Sequence, residues 1–90
     1  MYPELKGQVK EALVAEWKDP ERSTMYMHSR DVYRRLVEAG VEVPTGAMED
    51  ILLDLKAEGL IVGGQVHDRD YLTHGSFVIQ EVDQNLLEAY

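Results

Sequence analysis

Three groups of residues in this chain have types and spacing suited to chemistry. Arg30, Arg34 and Arg35 cluster in SRDVYRR, and Arg69 stands apart further on. Glu49, Asp50, Asp54 and Glu58 crowd the segment from Thr45 to Glu58, with Lys56 as its one cation. His67, Asp68, Asp70 and His74 lie close together, with Ser76 just beyond. A guanidinium group offers a planar fork of donors that matches phosphate oxygens, so the arginines could position a nucleic-acid backbone. Equally, Arg34 and Arg35 could pair with neighbouring acids on a solvated face. The His and Asp run supplies nitrogen and oxygen donors that a divalent metal accepts. These residues are also ordinary in a hydrated turn, and no thiolate reinforces them, so no metal or other cofactor is assigned. Ser76 near His74 pairs a nucleophile with a base but has no third partner. No active site is assigned, and an enzyme is not expected. Gly63-Gly64 lacks the lysine and helix context of a phosphate loop and reads as a strand bulge or bend. The aromatic residues do not alternate with basic ones as a base-stacking surface requires, and read as core or rim.

Charge narrows the partners. The chain has a net charge of -8. Residues 1 to 45 hold seven Lys and Arg against eight Asp and Glu, and residues 46 to 90 hold two against nine, so the imbalance sits in the second half. An acidic protein is repelled by nucleic acid unless its cations gather on one face. The 44% hydrophobic and 29% charged fractions are those of an ordinary folded domain, and 90 residues suffice for one core, so a single domain over residues 1–90 is expected. With no cysteine the chain has no disulfide framework, which fits a reducing compartment such as the cytoplasm. Neither a leader pattern nor a run of about 20 apolar residues is present, so export and membrane insertion are not expected.

The elements that must position these residues follow from periodicity. Leu5, Val9, Ala12, Leu13 and Trp17 recur at helical spacing and predict a helix over 4–18, ended by Asp19-Pro20. Ser23 to His28 is too short for a helix and reads as a brief strand or connector around Tyr26. Ser29 is expected to cap a second helix whose apolar face is Val32, Tyr33, Leu36 and Val37, stopping at Gly40. After the extended turn VEVP, Thr45 is expected to cap a third helix carrying Met48, Ile51, Leu52 and Leu55, stopped by Gly59. In LIVGGQVHDRDYLT two β-leaning runs flank the turn His67-Asp68-Arg69-Asp70, which predicts a hairpin. The last segment reads two ways. Val78, Val82 and Leu86 form a helical stripe, which we favour; alternatively SFVIQEV is a third strand and Asp83 caps a helix over 84–90.

Two helices joined by a short turn and followed by a hairpin resemble the winged-helix branch of the helix-turn-helix class. The run SRDVYRRLVEAGVEVPTGAMEDILLDLKAEGLIVGG is similar to the core of such regulators, and Tyr71-Leu72-Thr73 resembles the strand exit of MarR-like and PadR-like members. The glycine that follows, Gly75, comes one position early, and the third helix is unusually acidic. The resemblance implies an α+β fold: a three-helix winged-helix domain with a β-hairpin wing and a C-terminal helix. It further implies a transcription regulator that binds duplex DNA as a dimer. Thr45 and Glu49 would then approach base edges, while Arg30, Arg34, Arg35 and the wing residue Arg69 would meet phosphates. The alternative is an interaction module whose Glu49, Asp50, Asp54 and Glu58 face a basic protein partner. A homodimer through terminal helices would bury Tyr2, Leu5, Leu86, Leu87 and Tyr90; packing onto the chain's own core does so equally well.

Amphipathic helices this short are marginal alone in water, so the core must hold them, with Trp17, Leu36, Ile51, Leu52 and Leu55 central. Truncating Leu52 or Leu55 to alanine is expected to cost about 2 to 5 kcal/mol in chemical denaturation. An unchanged midpoint for either would put the buried face of this helix elsewhere.

Overall fold

The computed structural model describes residues 2–22, 26–65 and 77–90. Pro3–Lys18 form α1, with proline at a first-turn position where its missing N–H costs nothing. Its Leu5, Val9, Leu13 and Val14 are buried, while Trp17 is only half-buried at the rim, with the Arg22 guanidinium 4.4 Å from its ring centroid. The helix ends at Asp19, whose extended conformation is the one favoured before Pro20.

Met27–His28 form the short strand β1, and Ser29–Glu38 form α2. The cap of α2 is His28 rather than the expected Ser29. The His28 Nδ1 accepts from the Arg30 N–H at 3.1 Å, and the Asp31 carboxylate accepts from the His28 N–H at 3.2 Å, a reciprocal box. Ser29 is drawn inside instead: it is buried, and its Oγ accepts from the Phe77 N–H at 3.2 Å. Val32 and Leu36 face the core and Tyr33 packs at its edge, but Val37 is 51% exposed, one position off the buried stripe.

Ala47–Ala57 form α3. Its N-cap is Gly46, with φ of 84° and no side-chain cap, so Thr45 lies in the preceding turn and does not cap. Met48, Ile51, Leu52 and Leu55 are all buried, as the spacing predicts. The stop at Gly59 has a specific form. Gly59 takes φ of 77°, its N–H donates to the Lys56 carbonyl at 3.0 Å, and the Leu60 N–H donates to the Leu55 carbonyl at 2.9 Å. Both orphan carbonyls are thus satisfied by a left-handed residue that only glycine adopts at no steric cost. Gly40 ends α2 with the same pair of bonds.

Ile61–Gln65 form β2, Phe77–Val82 form β3 and Gln84–Ala89 form α4. One expectation is corrected here. The stripe of Val78, Val82 and Leu86 does not make one helix: Phe77 to Val82 run as a strand, and the Asp83 carboxylate accepts from the Asn85 N–H at 3.0 Å to cap the shorter helix. β-branched and aromatic residues in FVIQEV prevail because Phe77 and Ile79 enter the core on one face. The described partner of β2 is β3, paired antiparallel; the turn from His67 to Asp70 and residues 71 to 73, where the expected hairpin would close, lie outside the described residues.

Among the described residues the fold is α+β, with four helices and a three-stranded antiparallel sheet in the order β1-β3-β2. Met27 pairs with Ile79 and His28 with Val78 on one side; Ile61, Val62, Gly63, Gly64 and Gln65 pair with Val82, Glu81, Ile79, Val78 and Phe77 on the other. The jump from Glu81 to Ile79 leaves Gln80 unpaired as a bulge, so Gln80 and Glu81 are exposed in succession while Val82 returns to pack on the core. Of the bulge or bend expected at Gly63-Gly64, the structure shows a bulge-type register shift between Val62 and Gly63. Leu5 from α1 and Leu86 from α4 are buried within the same core, and Tyr2 and Leu87 pack against it. Among the described residues no helix is long and apolar enough to cross a membrane.

Gly63 and Gly64 make unequal demands. A methyl group on Gly63 would collide with the Val78 carbonyl oxygen and press on the Ile79 Cα at 3.1 Å, whereas nothing lies within 4 Å of one on Gly64. Gly63→Ala is expected to cost about 1 to 3 kcal/mol as an overpacked site, and Gly64→Ala to be neutral or mildly stabilising through the unfolded chain. Urea denaturation of the two variants checks this, and equal stabilities would contradict the close approach of the strands.

Candidate functional site

The arginines of α2 separate into different roles. Arg35 turns back onto α1: its Nε donates to the Glu16 carboxylate and its terminal nitrogen to Asp19 at 2.8 Å. The hydrogen bond to Glu16 and the charges of both acids outweigh the opposing effect of partial burial and hold the guanidinium further above its already high range. It is a clamp between the C-terminal halves of α1 and α2. Of the two readings of Arg35, phosphate contact or pairing with acids, the structure has the side chain paired with Glu16 and Asp19. Arg34 is 63% exposed and donates to Asp31 at 3.1 Å, one turn back on its own helix. Arg30 is exposed at the start of α2. Arg30 and Arg34 border a groove of about 490 Å³, with Arg22 and Tyr26 also in its lining and Glu16, Glu21 and Asp31 interspersed. The groove is therefore mixed in charge, neither a basic channel nor an acidic one.

The acids of α3 are outward. Asp50, Asp54 and Glu58 are exposed and Glu49 is half-exposed, because the stripe that repeats at Met48, Ile51, Leu52 and Leu55 takes the inward positions. Glu49 and Asp50 lie in the first turn, where the amide dipoles favour carboxylates, and Lys56 lies in the last. Two contacts temper this surface. The Glu49 carboxylate accepts from the Gln65 side-chain amide of β2, and Lys6 of α1 reaches Glu58 at 3.0 Å and Asp54 at 3.9 Å. Among the described residues no ion pair reaches Asp50, whereas Lys6 reaches Asp54 and Glu58. Thr45 is exposed in the turn before the helix, while Arg69 lies outside the described residues.

The structure thus brings Glu49, Asp50, Asp54 and Glu58 onto the outward side of α3 and its C-terminal cap and leaves Arg30 and Arg34 on α2, with Arg35 turned to α1. Residues His67, Asp68, Asp70, His74 and Ser76 also lie outside the described residues, and among the described residues no group of His, Asp and Glu is arranged to hold a metal ion. Sequence reasoning passed over Leu53. It sits beside the inward stripe yet is 39% exposed, an apolar side chain in the middle of the acidic face. Its position off the 48, 51, 52, 55 repeat is the signal that could have marked it. Comparison of the chain with protein-family models, with curated proteins and with solved structures finds no match.

The division between Arg34 and Arg35 is measurable. Arg35→Ala is expected to lower stability by roughly 1 to 3 kcal/mol, because two carboxylates lose a charged donor. Arg34→Ala should stay within about 0.5 kcal/mol, as an exposed pair three residues apart on a helix contributes little. Thermal and urea melts of both variants test this; an Arg35→Ala protein as stable as the parent would return that side chain to the surface.

Proposed function

We propose that this chain is a winged-helix interaction module that engages a basic protein surface through α3, without catalysis. The order helix, strand, helix, helix, strand, strand, with β3 between β1 and β2, supports the winged-helix reading. The observation that carries the functional reading is the electrostatics of α3. In the helix-turn-helix arrangement the second helix of the pair is the one that enters the major groove. Here that helix and its C-terminal cap expose Glu49, Asp50, Asp54 and Glu58 against Lys56 alone. Four carboxylates brought against phosphates oppose binding, whereas the same face attracts a basic partner and speeds encounter with it. The net charge of -8 acts in the same direction.

A second reading rests on a different surface. Arg30 and Arg34 border the groove between α1, β1 and α2, and with Arg69 they are the cations a duplex backbone would meet if α2 and the wing did the positioning. Arg35, bound to Glu16 and Asp19, does not contribute to it.

Fluorescence anisotropy separates the two. A labelled oligolysine peptide is expected to bind at about 50 mM salt and to weaken at about 200 mM, while mixed-sequence duplex DNA leaves the signal flat. Asp50→Lys combined with Asp54→Lys is expected to weaken the peptide about tenfold, since charge reversal turns attraction into repulsion. Duplex binding that falls steeply with salt and is lost in Arg30→Ala with Arg34→Ala would replace the first reading with the second.

A further inference from the structure

Two hollows flank the N-terminal end of α1, and Tyr2 lines both. One, of about 290 Å³, lies against α3 and includes Leu53; the other, of about 660 Å³, lies against the turn after α2 and includes Leu5, Val41 and Pro44. Apolar side chains are therefore presented on both sides of Tyr2 and not as a single isolated patch. The charged residues in these linings are Glu4 and Glu42 in the larger hollow and Asp50 and Asp54 in the smaller. No lysine, arginine or histidine is among the described residues that line either one. Lys6 touches the edge of this surface through Asp54, at 3.9 Å, and leans towards Glu58.

Tyr2 is itself unusual. It is the one non-glycine residue with positive φ among those described, at 51°, and its carbonyl accepts from the Lys6 N–H at 2.8 Å. A bulky residue held in the left-handed region needs surrounding contacts to keep it there, and such positions recur at ligand clamps. Here the ring packs against the core edge between the two hollows.

We propose that the strip from Leu53 across Tyr2 to Val41 is the docking surface for a basic amphipathic helix of a partner protein. This deepens the interaction-module reading and rests on it. Charge complementarity selects the occupant. Four carboxylates around hollows lined in part by apolar side chains match a helix whose apolar side chains, spaced three and four residues apart, are flanked by lysine or arginine. A second copy of this chain would bring the same carboxylates together, and an anionic lipid surface would be repelled by them. The apolar side chains of the partner fill the hollows on either side of Tyr2, and its cations meet Glu4, Glu42, Asp50 and Asp54.

The test uses the full chain and a fluorescein-labelled Lys/Leu amphipathic peptide of about 18 residues. A scrambled peptide of the same composition and a Glu/Leu analogue serve as comparisons. Micromolar binding of the first alone is expected. Leu53→Ser, Tyr2→Gly and Glu42→Lys are each expected to weaken it about fivefold or more, and Val37→Ser, an exposed apolar residue outside the hollows, to leave it unchanged. Tyr2→Gly removes the ring while suiting the left-handed backbone, and amide chemical shifts confirm that each variant is folded. In the parent, shifts on titration should gather at Tyr2, Glu42 and Leu53. Failure to bind the amphipathic peptide, equal affinity for the scrambled one, or perturbations centred on Glu81 and Glu88 would overturn the proposal, as would concentration-dependent self-association that Leu53→Ser abolishes. If oligolysine still binds and Asp50→Lys with Asp54→Lys still weakens it, the interaction-module reading stands and only this surface is wrong.

Discussion

The molecule depends on the central strand. β3 is the strand through which β1 and β2 are joined, and its Phe77 and Ile79 sit fully buried where the helices and the sheet meet. Its first amide is held by Ser29, the buried first residue of α2, so one hydrogen bond locks the second helix to the sheet. A buried amide left without an acceptor is costly, and this is why a serine that the local sequence would place at a helix cap is used in the interior. His28 then takes over the cap. The register of β3 fixes which faces of β1 and β2 turn inward, and with them the positions of Met27 and Ile61.

Electrostatics is organised in layers on this frame. Three cations of α1 and α2 are turned to contacts within the chain: Arg35 spans Glu16 and Asp19, Lys18 donates to the carbonyls of Leu87 and Tyr90, and Lys6 leans on α3. Lys18 in particular supplies α4 with donors for its unpaired last carbonyls, which matters for a helix this short. What remains outward on α3 is mostly carboxylate.

The helical part of this arrangement could be read from the chain. The repeat of Met48, Ile51, Leu52 and Leu55 is unambiguous, and Gly40 and Gly59 mark stops because a left-handed residue is needed at each. The C-terminal segment was harder. Val78, Val82 and Leu86 do lie at helical spacing, but the burial of Phe77 and Ile79 by elements far away in the chain decides for a strand, a tertiary preference that periodicity does not contain. The four carboxylates of α3 were legible as a set, because a helix that buries one stripe must expose the rest. That Arg35 could pair with acids was also legible, but not which ones: they lie 16 and 19 positions earlier, and only the packing of α1 on α2 brings them within reach. Leu53 was not singled out for a related reason: the hollow it lines is shared with Tyr2, a residue from a separate part of the chain.

The close approach at Gly63 also bears on how faithfully the sheet can assemble. If β2 slipped by one residue so that Val62 took the place of Gly63, its branched side chain would be driven into the backbone of β3. A slip the other way would seat Gly64 there without collision, but it would pull Ile61 out of the interior and flip the strand's faces. Both wrong alignments lose burial, and the first also meets the bulk of Val62. Paired glycines that look like a weak point thus act as a proofreading device for strand pairing.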